Sequence, residues 1–424
     1  MRSFRTMLTA AVAAFGLFAM GFAATVQAQT KEVRIGVLYP LTGSVAQAGR
    51  DVLAAAQTAA DIVNNKHDLN LPLARTEGLP NLGGAKVRLV IADHQGKPEI
   101  GGGEAERLIS SENVVALFGA YHSSVSAAAS NVAERMQIPY LTGESSSPKL
   151  HTRGFKWFFR TGPHDGHYTK TMFDFMRDFA KKKGITIKRV AILHEDTQFG
   201  VDSARVQEQL AKEAGMEVAA KIAYRAKTTS LTAEIQKLKS VNADVFLPTS
   251  YTSDALLFMR TSKELDYAPQ LFIAQNAGYN DSTFLKTMGK EADGIISRSP
   301  FSMDMAAKIP VIKDLNALYK KHSGGREIYD PPIRSFVGAL VLMDAINRAG
   351  STDPEKIRQA LRETNIPPGQ IPMPWQNIKF GPDGQNNGVS TVLIQVQDGR
   401  YYSIYPFDVA AREVIFPFPK WSAR

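Results

Sequence analysis

From Lys31 onward, short runs rich in β-branched residues alternate with longer stretches of helical period, which confines the chain to parallel sheets covered by helices. Glu32 to Leu38 reads as a strand, and Val52 to Asn64 sets Val52, Ala55, Ala56, Ala59, Ile62 and Val63 on one helical stripe. Val87 to Asp93 is the next strand. Glu104 to Glu112 reads as a helix, Val114 to Gly119 as a buried strand, Ser123 to Met136 as a helix and Ile138 to Thr142 as a further strand. Together these units make a doubly wound α/β lobe. The pattern then restarts with Val190 to His194, a helix over Gly200 to Ala214, Val218 to Tyr224, a helix over Leu231 to Lys239, and Asp244 to Pro248. A second lobe of the same logic is therefore expected. Helices over Met305 to His322 and Ser335 to Ala349 follow, then a Pro- and Gly-rich stretch from Ile366 to Gln385. Thr391 to Val396 and Tyr401 to Tyr405 read as a hairpin around Asp398-Gly399.

Ahead of the first strand, Arg2 and Arg5 precede an apolar stretch from Met7 to Val26 that ends in Val26-Gln27-Ala28. This is the charged, apolar, small-residue order of a secretory signal, with cleavage expected after Ala28; the alternative is an uncleaved membrane anchor. No apolar stretch long enough to span a bilayer recurs after Thr30, so the mature chain is expected to be soluble and exported. The sequence contains no cysteine, which rules out a thiol nucleophile, Cys-ligated metal and a lipid-modified cysteine, and suits an oxidising compartment. The net charge of +9 is dispersed, its densest run being Lys181-Lys182-Lys183, so no nucleic-acid partner is expected.

Catalytic patterns are mostly absent: there is no phosphate loop, no H-E-x-x-H zinc helix and no G-x-S-x-G elbow. Gly101-Gly102-Gly103 lacks the third glycine of a dinucleotide fingerprint and reads as a loop or a weak helix start. His164-Asp165-Gly166-His167 has the spacing of half a metal site but no third ligand nearby, so a solvent-exposed turn is the expectation. A Ser-His-Asp group of Ser123, His122 and Asp93 is disfavoured, because adjacent residues point their side chains apart. No enzyme activity, cofactor or metal is expected. What remains is a binding constellation. Gly119-Ala120-Tyr121-His122-Ser123-Ser124 runs from a buried strand into a helix whose free N–H groups and hydroxyl suit a carboxylate, or else form an ordinary N-cap. Thr142-Gly143-Glu144-Ser145-Ser146-Ser147-Pro148 ends the next strand and converges on the same crevice.

The order of Val33 to Val37, Pro40-Leu41-Thr42-Gly43, Ala92-Asp93, Gly119 to Ser124, Ser145 to Pro148, Phe159-Arg160-Thr161 and Gln198-Phe199-Gly200 resembles the periplasmic leucine/isoleucine/valine-binding family. The resemblance covers nearly the whole mature chain. It implies a type I periplasmic binding protein, with two Rossmann-like lobes joined by three crossover segments, closing on a small ligand and delivering it to an ABC permease and its ATPase. On that pattern the crossovers fall near Arg160–Pro163, Arg298–Phe301 and Phe380–Pro382. The first lobe would comprise residues 31–162 and 302–379, and the second 163–301 and 380–424. A monomer in the periplasm is the expectation.

The resemblance also implies site residues. Ser123, Ser145 and Ser146 match the positions that take the ligand carboxylate, Phe199 the aromatic cap, and Tyr251 a second-lobe contact. His122 and Glu144 lie in the same two loops. Two positions depart from the family pattern. Amino-acid binders place an acid for the ligand ammonium where this chain has Asn276, so either Glu144 or Asp254 supplies the charge or the ligand has no amine. Ala48 stands where those binders carry a bulky ring, which leaves room for aromatic acids, amides and other organic acids. A sensory ligand-binding module of the same fold is the alternative role, and an exported hydrolase using His122 or the His164 and His167 pair is a third.

Overall fold

The computed structural model describes residues 32–424, so the signal segment expected over residues 1–28 and its cleavage after Ala28 lie outside the described residues. In chain order, β1 (Glu32–Tyr39), α1 (Ala46–Asn64), β2 (Lys86–Asp93), α2 (Pro98–Ser110), β3 (Ala116–Gly119), α3 (Ser123–Met136), β4 (Tyr140–Thr142) and β5 (Phe158–Arg160) build a parallel sheet ordered β2-β1-β3-β4-β5. Val33, Ile35 and Val37 of β1 pack on the α1 face, whereas Leu38 joins Leu117, Val125 and Tyr140 on the other. That is the two-residue alternation of a strand covered on both sides. All six residues of the expected α1 stripe are buried, and their small side chains let α1 lie along a later helix.

The second lobe is built from α4 (Asp165–Lys183), β6 (Arg189–Glu195), α5 (Gln198–Glu213), β7 (Glu217–Tyr224), α6 (Thr232–Val241), β8 (Val245–Thr249), α7 (Thr252–Glu264), β9 (Leu271–Ala274), α8 (Ser282–Met288) and β10 (Ile296–Ser299). Helices α9 (Val311–Ser323), α10 (Asp330–Ala349) and α11 (Pro354–Arg362) then return to the first lobe, where α9 and α10 pack on α1. The hairpin of β11 (Val392–Gln397) and β12 (Arg400–Tyr405) completes a second sheet ordered β12-β11-β10-β9-β8-β6-β7. Its two-residue turn has φ of 52° at Asp398 and 70° at Gly399, as a type I′ hairpin requires. Among the described residues no helix is long and apolar enough to cross a membrane.

Three expectations need correction. Gly101, Gly102 and Gly103 are not a loop but lie inside α2, which starts at Pro98; a Cβ at Gly101 would meet Val125 Cγ1 at 2.3 Å, so glycine permits close packing of α2 on α3. His164-Asp165-Gly166-His167 is not an exposed turn but the start of α4. His164 caps that helix by accepting from the N–H of Gly166, and Asp165 is fully buried. The chain does pass between the sheets after β5 and again after β10, but it stays with the first lobe beyond Phe380–Pro382. Arg160 N donates to Gly384 O and Asn386 N donates to Arg160 O, which prolongs the edge of the first sheet to Asn386.

Candidate functional site

The carboxyl ends of the parallel strands of the two sheets face each other, and the loops leaving them meet across a narrow cavity. From the first lobe come Tyr121 and Ser123 at the β3–α3 junction, Glu144 and Ser146 after β4, and Pro331 and Arg334 in the opening turns of α10. The second lobe supplies Phe199 in the first turn of α5, Tyr251 at the N-cap of α7, Asn276 and Ala277 after β9, and Arg298 in β10. Of the residues singled out in the sequence, Ser123, Glu144, Ser146, Phe199, Tyr251 and Asn276 are brought together on this wall.

The serines divide their work. Ser123 is the first residue of α3, and its hydroxyl accepts from Ser147 N at 3.3 Å, so its own proton is uncommitted. The hydroxyl of Ser146 accepts from Arg298 Nη2 at 3.2 Å, the same nitrogen that pairs with the Asp165 carboxylate. It thus sits against the Arg298 guanidinium on the cavity wall. Ser145 lies off the cavity wall: its hydroxyl contacts Ser126 Oγ at 2.7 Å and donates to Tyr121 O at 3.1 Å, tying the β4 loop to α3. His122, also off the wall, sits among the rings of His94, Tyr121 and Tyr251, and burial pushes its imidazole to the neutral form. No bond joins it to Asp93, whose carboxylate accepts from Leu41 N, Thr42 Oγ1 and Gln95 N. Ala48 packs in the first-lobe core and does not reach the cavity.

Two guanidinium groups, unremarked in the sequence as ligand contacts, dominate the electrostatics. Arg298 is 2% exposed, lies 3.7 Å from the Tyr168 ring centroid and pairs with Asp165 at 3.4 Å through Nη2. Among the described residues its Nε and Nη1 have no partner. Arg334 is held by Asp330 at 2.6 Å and donates to Glu144 O at 2.7 Å. The Asp330–Arg334 spacing of four residues suits such a pair on a helix, but the sequence pattern starts that helix only at Ser335. In contrast, Arg298 sits in a strand between two serines, and the sequence places it only at a crossover between the lobes.

Asn276 explains itself in three dimensions. Its Nδ2 donates to Arg298 O at 3.0 Å and to the carboxylate of Asp330 from the opposite lobe. An acid at this position would confront Asp330, so the amide is the side chain that fits. Of the two acids considered for a ligand ammonium, Asp254 lies off the cavity wall, where it accepts from Lys227 N and Ser253 Oγ. Glu144 lines the cavity, with Oε2 buried and lacking a partner among the described residues. The His151, His164 and His167 rings stack in a row near Arg160, yet among the described residues no group of three or more His, Cys, Asp or Glu is placed to hold a metal.

The family model described as "Periplasmic binding protein" matches residues 32–400. A Leu/Ile/Val-binding protein homolog 7 from Brucella abortus is 28% identical over 392 residues, covering 91% of this chain and 94% of that protein. Among solved structures, a leucine-binding protein from Thermotoga maritima superposes with a TM-score of 0.74 at 25% identity, covering 89% of this chain and all of that one, 100%. A solute-binding protein of an ABC transporter from Rhodopseudomonas palustris, solved with 4-hydroxybenzoate, gives 0.73 at 19% identity over 92% of this chain and 99% of its own.

Proposed function

The chain belongs to the periplasmic binding protein family, and from that premise we propose that it is an exported solute-binding protein that captures a small carboxylate and presents it to an ABC permease and its ATPase. The observation that carries the carboxylate is Arg298: two buried guanidinium donors without protein partners point to an anion, and they share one wall with the N-terminus of α3 and the Ser123 hydroxyl. Phe199 and Tyr251, 5.3 Å apart between ring centroids, form the second-lobe side of the clamp. Closing the two lobes around the ligand removes water from these donors and strengthens each bond to it. The relatives' ligands, an amino acid in one named protein and an aromatic acid in another, bracket the class expected here.

Residues 29–424, unfolded by heat against α-amino acids, their deaminated analogues, aromatic acids and small amides, should show a raised Tm with at least one acid, because a ligand that binds only the folded state stabilises it. Silence across the whole panel would overturn the reading. Once a ligand is in hand, Ser123→Ala should weaken it by about 1 kcal/mol, roughly fivefold, for the loss of one neutral donor. Ser145→Ala should leave affinity unchanged, since that hydroxyl is spent within the first lobe. Calorimetric titration of the two variants checks both statements.

A further inference from the structure

Glu144 is bound into a chain of contacts that counts protons. Its Oε1 lies 2.8 Å from the Tyr39 hydroxyl, Tyr39 lies 2.8 Å from Ser335 Oγ, and Ser335 Oγ lies 2.8 Å from the main-chain oxygen of Val52. Each contact is short enough to need a hydrogen between its oxygens. Tyr39 and Ser335 bring one hydrogen each, and the Val52 carbonyl brings none. With an ionised Glu144, two hydrogens must serve three contacts, and one pair of buried oxygens is left facing lone pair to lone pair. A third hydrogen, on Glu144 Oε1, fills all three: Glu144 donates to Tyr39, Tyr39 to Ser335, and Ser335 to Val52 O.

We propose that Glu144 is held as a neutral carboxylic acid by this chain, and that its Oε2 offers the ligand an uncharged acceptor for an O–H or amide N–H rather than a counter-charge for an ammonium. The ligand class is then a carboxylate bearing a hydroxyl or amide, its anion at Arg298 and Ser123 and its neutral donor at Glu144. This rests on the reading of the cavity as the ligand site. The surrounding charges agree with it. Arg334 and Asp330 neutralise each other on α10, Arg298 is paired with Asp165, and Tyr39 and Tyr140 bring no charge from β1 and β4. Burial, outweighing the Arg334 guanidinium, keeps the Glu144 carboxyl above the ordinary carboxylate range. An ammonium placed beside the neutral Glu144 would meet no counter-charge there.

The test uses leucine and its 2-hydroxy analogue, which differ only in ammonium against hydroxyl, with wild type and Glu144→Gln. A glutamine reproduces the neutral acid: its amide donates to Tyr39 and its carbonyl faces the cavity. The hydroxy acid is expected to bind at least about tenfold more tightly than leucine, and Glu144→Gln to retain that affinity within about threefold. Tighter binding of leucine, with about a ten- to hundredfold loss in Glu144→Gln, would overturn the proposal. A ligand-free arm decides the proton separately. A carboxyl whose folded pKa is raised stabilises the protein below its unfolded pKa and loses that contribution as pH rises towards the folded value. Wild type should therefore lose Tm relative to Glu144→Gln between pH 5 and 8, and a constant difference would mean an ionised Glu144 and overturn the proton placement. A protein that keeps this pH signature but binds neither acid nor any of the panel overturns the functional reading, and the ligand class with it, while the proton placement stands.

Discussion

Arg298→Met should both weaken the ligand and destabilise the protein, and the two losses should be separable. In the folded protein Asp165 is fully buried, and its cationic partner is Arg298 at 3.4 Å. Removing one member of a buried pair leaves an uncompensated charge, at a cost of about 3–5 kcal/mol. Here the lower end is expected, because Ser203 Oγ and Gln275 Nε2 still donate to Asp165 at 2.8 and 3.1 Å. Affinity should fall for a different reason: the ligand anion loses charge-assisted bonds worth about 1.5–3 kcal/mol, roughly ten- to hundredfold. Adding Asp165→Asn to Arg298→Met removes the stranded charge and should recover most of the stability with none of the affinity. Denaturant titration beside calorimetry checks this. A double variant that regained binding would show Arg298 to be structural only, whereas full stability in Arg298→Met alone would mean Asp165 is not ionised.

That arginine also marks where sequence reading stops. The two lobes, the α1 stripe and the terminal hairpin were legible because burial on both sheet faces and a two-residue turn leave local signatures of period and composition. Helix α4 was legible in principle, since Tyr168, Met172, Phe175, Met176 and Phe179 recur at helical spacing and are all buried. It was obscured by a histidine at its N-cap and by a glycine and a second histidine in its first turn. The opening of α10 was hidden in a similar way by Pro331-Pro332, although proline is tolerated where a helix has no N–H to satisfy. The site itself was half visible. Loops that follow strands announce themselves through small and hydroxyl residues, which is how the Ser123 and Glu144–Ser146 segments stood out. What a particular side chain faces depends on partners far away in sequence. Asn276 meets Asp330, and Arg298 meets Asp165 and Ser146. No local pattern carries such pairings, and they decide the electrostatics of the cavity.

The first passage between the lobes carries the second large effect. Arg160, at the end of β5, is fully buried, and its guanidinium donates to Gln385 Oε1 at 2.6 Å, to Ser147 O at 2.8 Å and to Ser145 O at 3.2 Å, with His151 beside it. It thus clamps the ligand loop after β4 to the 384–386 segment that prolongs the first sheet. Arg160→Met leaves Ser145 O and Gln385 Oε1 without a donor, while Ser147 O keeps Leu150 N at 3.2 Å. At about 1–3 kcal/mol for each group left without a donor, a total loss of about 2–4 kcal/mol is expected at pH 7.5 once local relaxation is allowed for. The deficit should shrink in acid. Burial first, and the Arg160 charge second, hold His151 and His167 down to about 4 and His164 lower still. A histidine depressed in the folded state leaves the unfolded chain holding the extra proton, so stability is present above the ordinary value of about 6.5 and is lost as pH falls from there towards 4. Without the guanidinium the three imidazoles accept protons more readily in the folded protein, so the variant gives up less stability over that window than wild type does. Denaturant midpoints at pH 7.5, 6 and 5 measure the gap. A gap that widens towards pH 5 would mean that the row of histidines is charged in the folded protein and that Arg160 does not govern it.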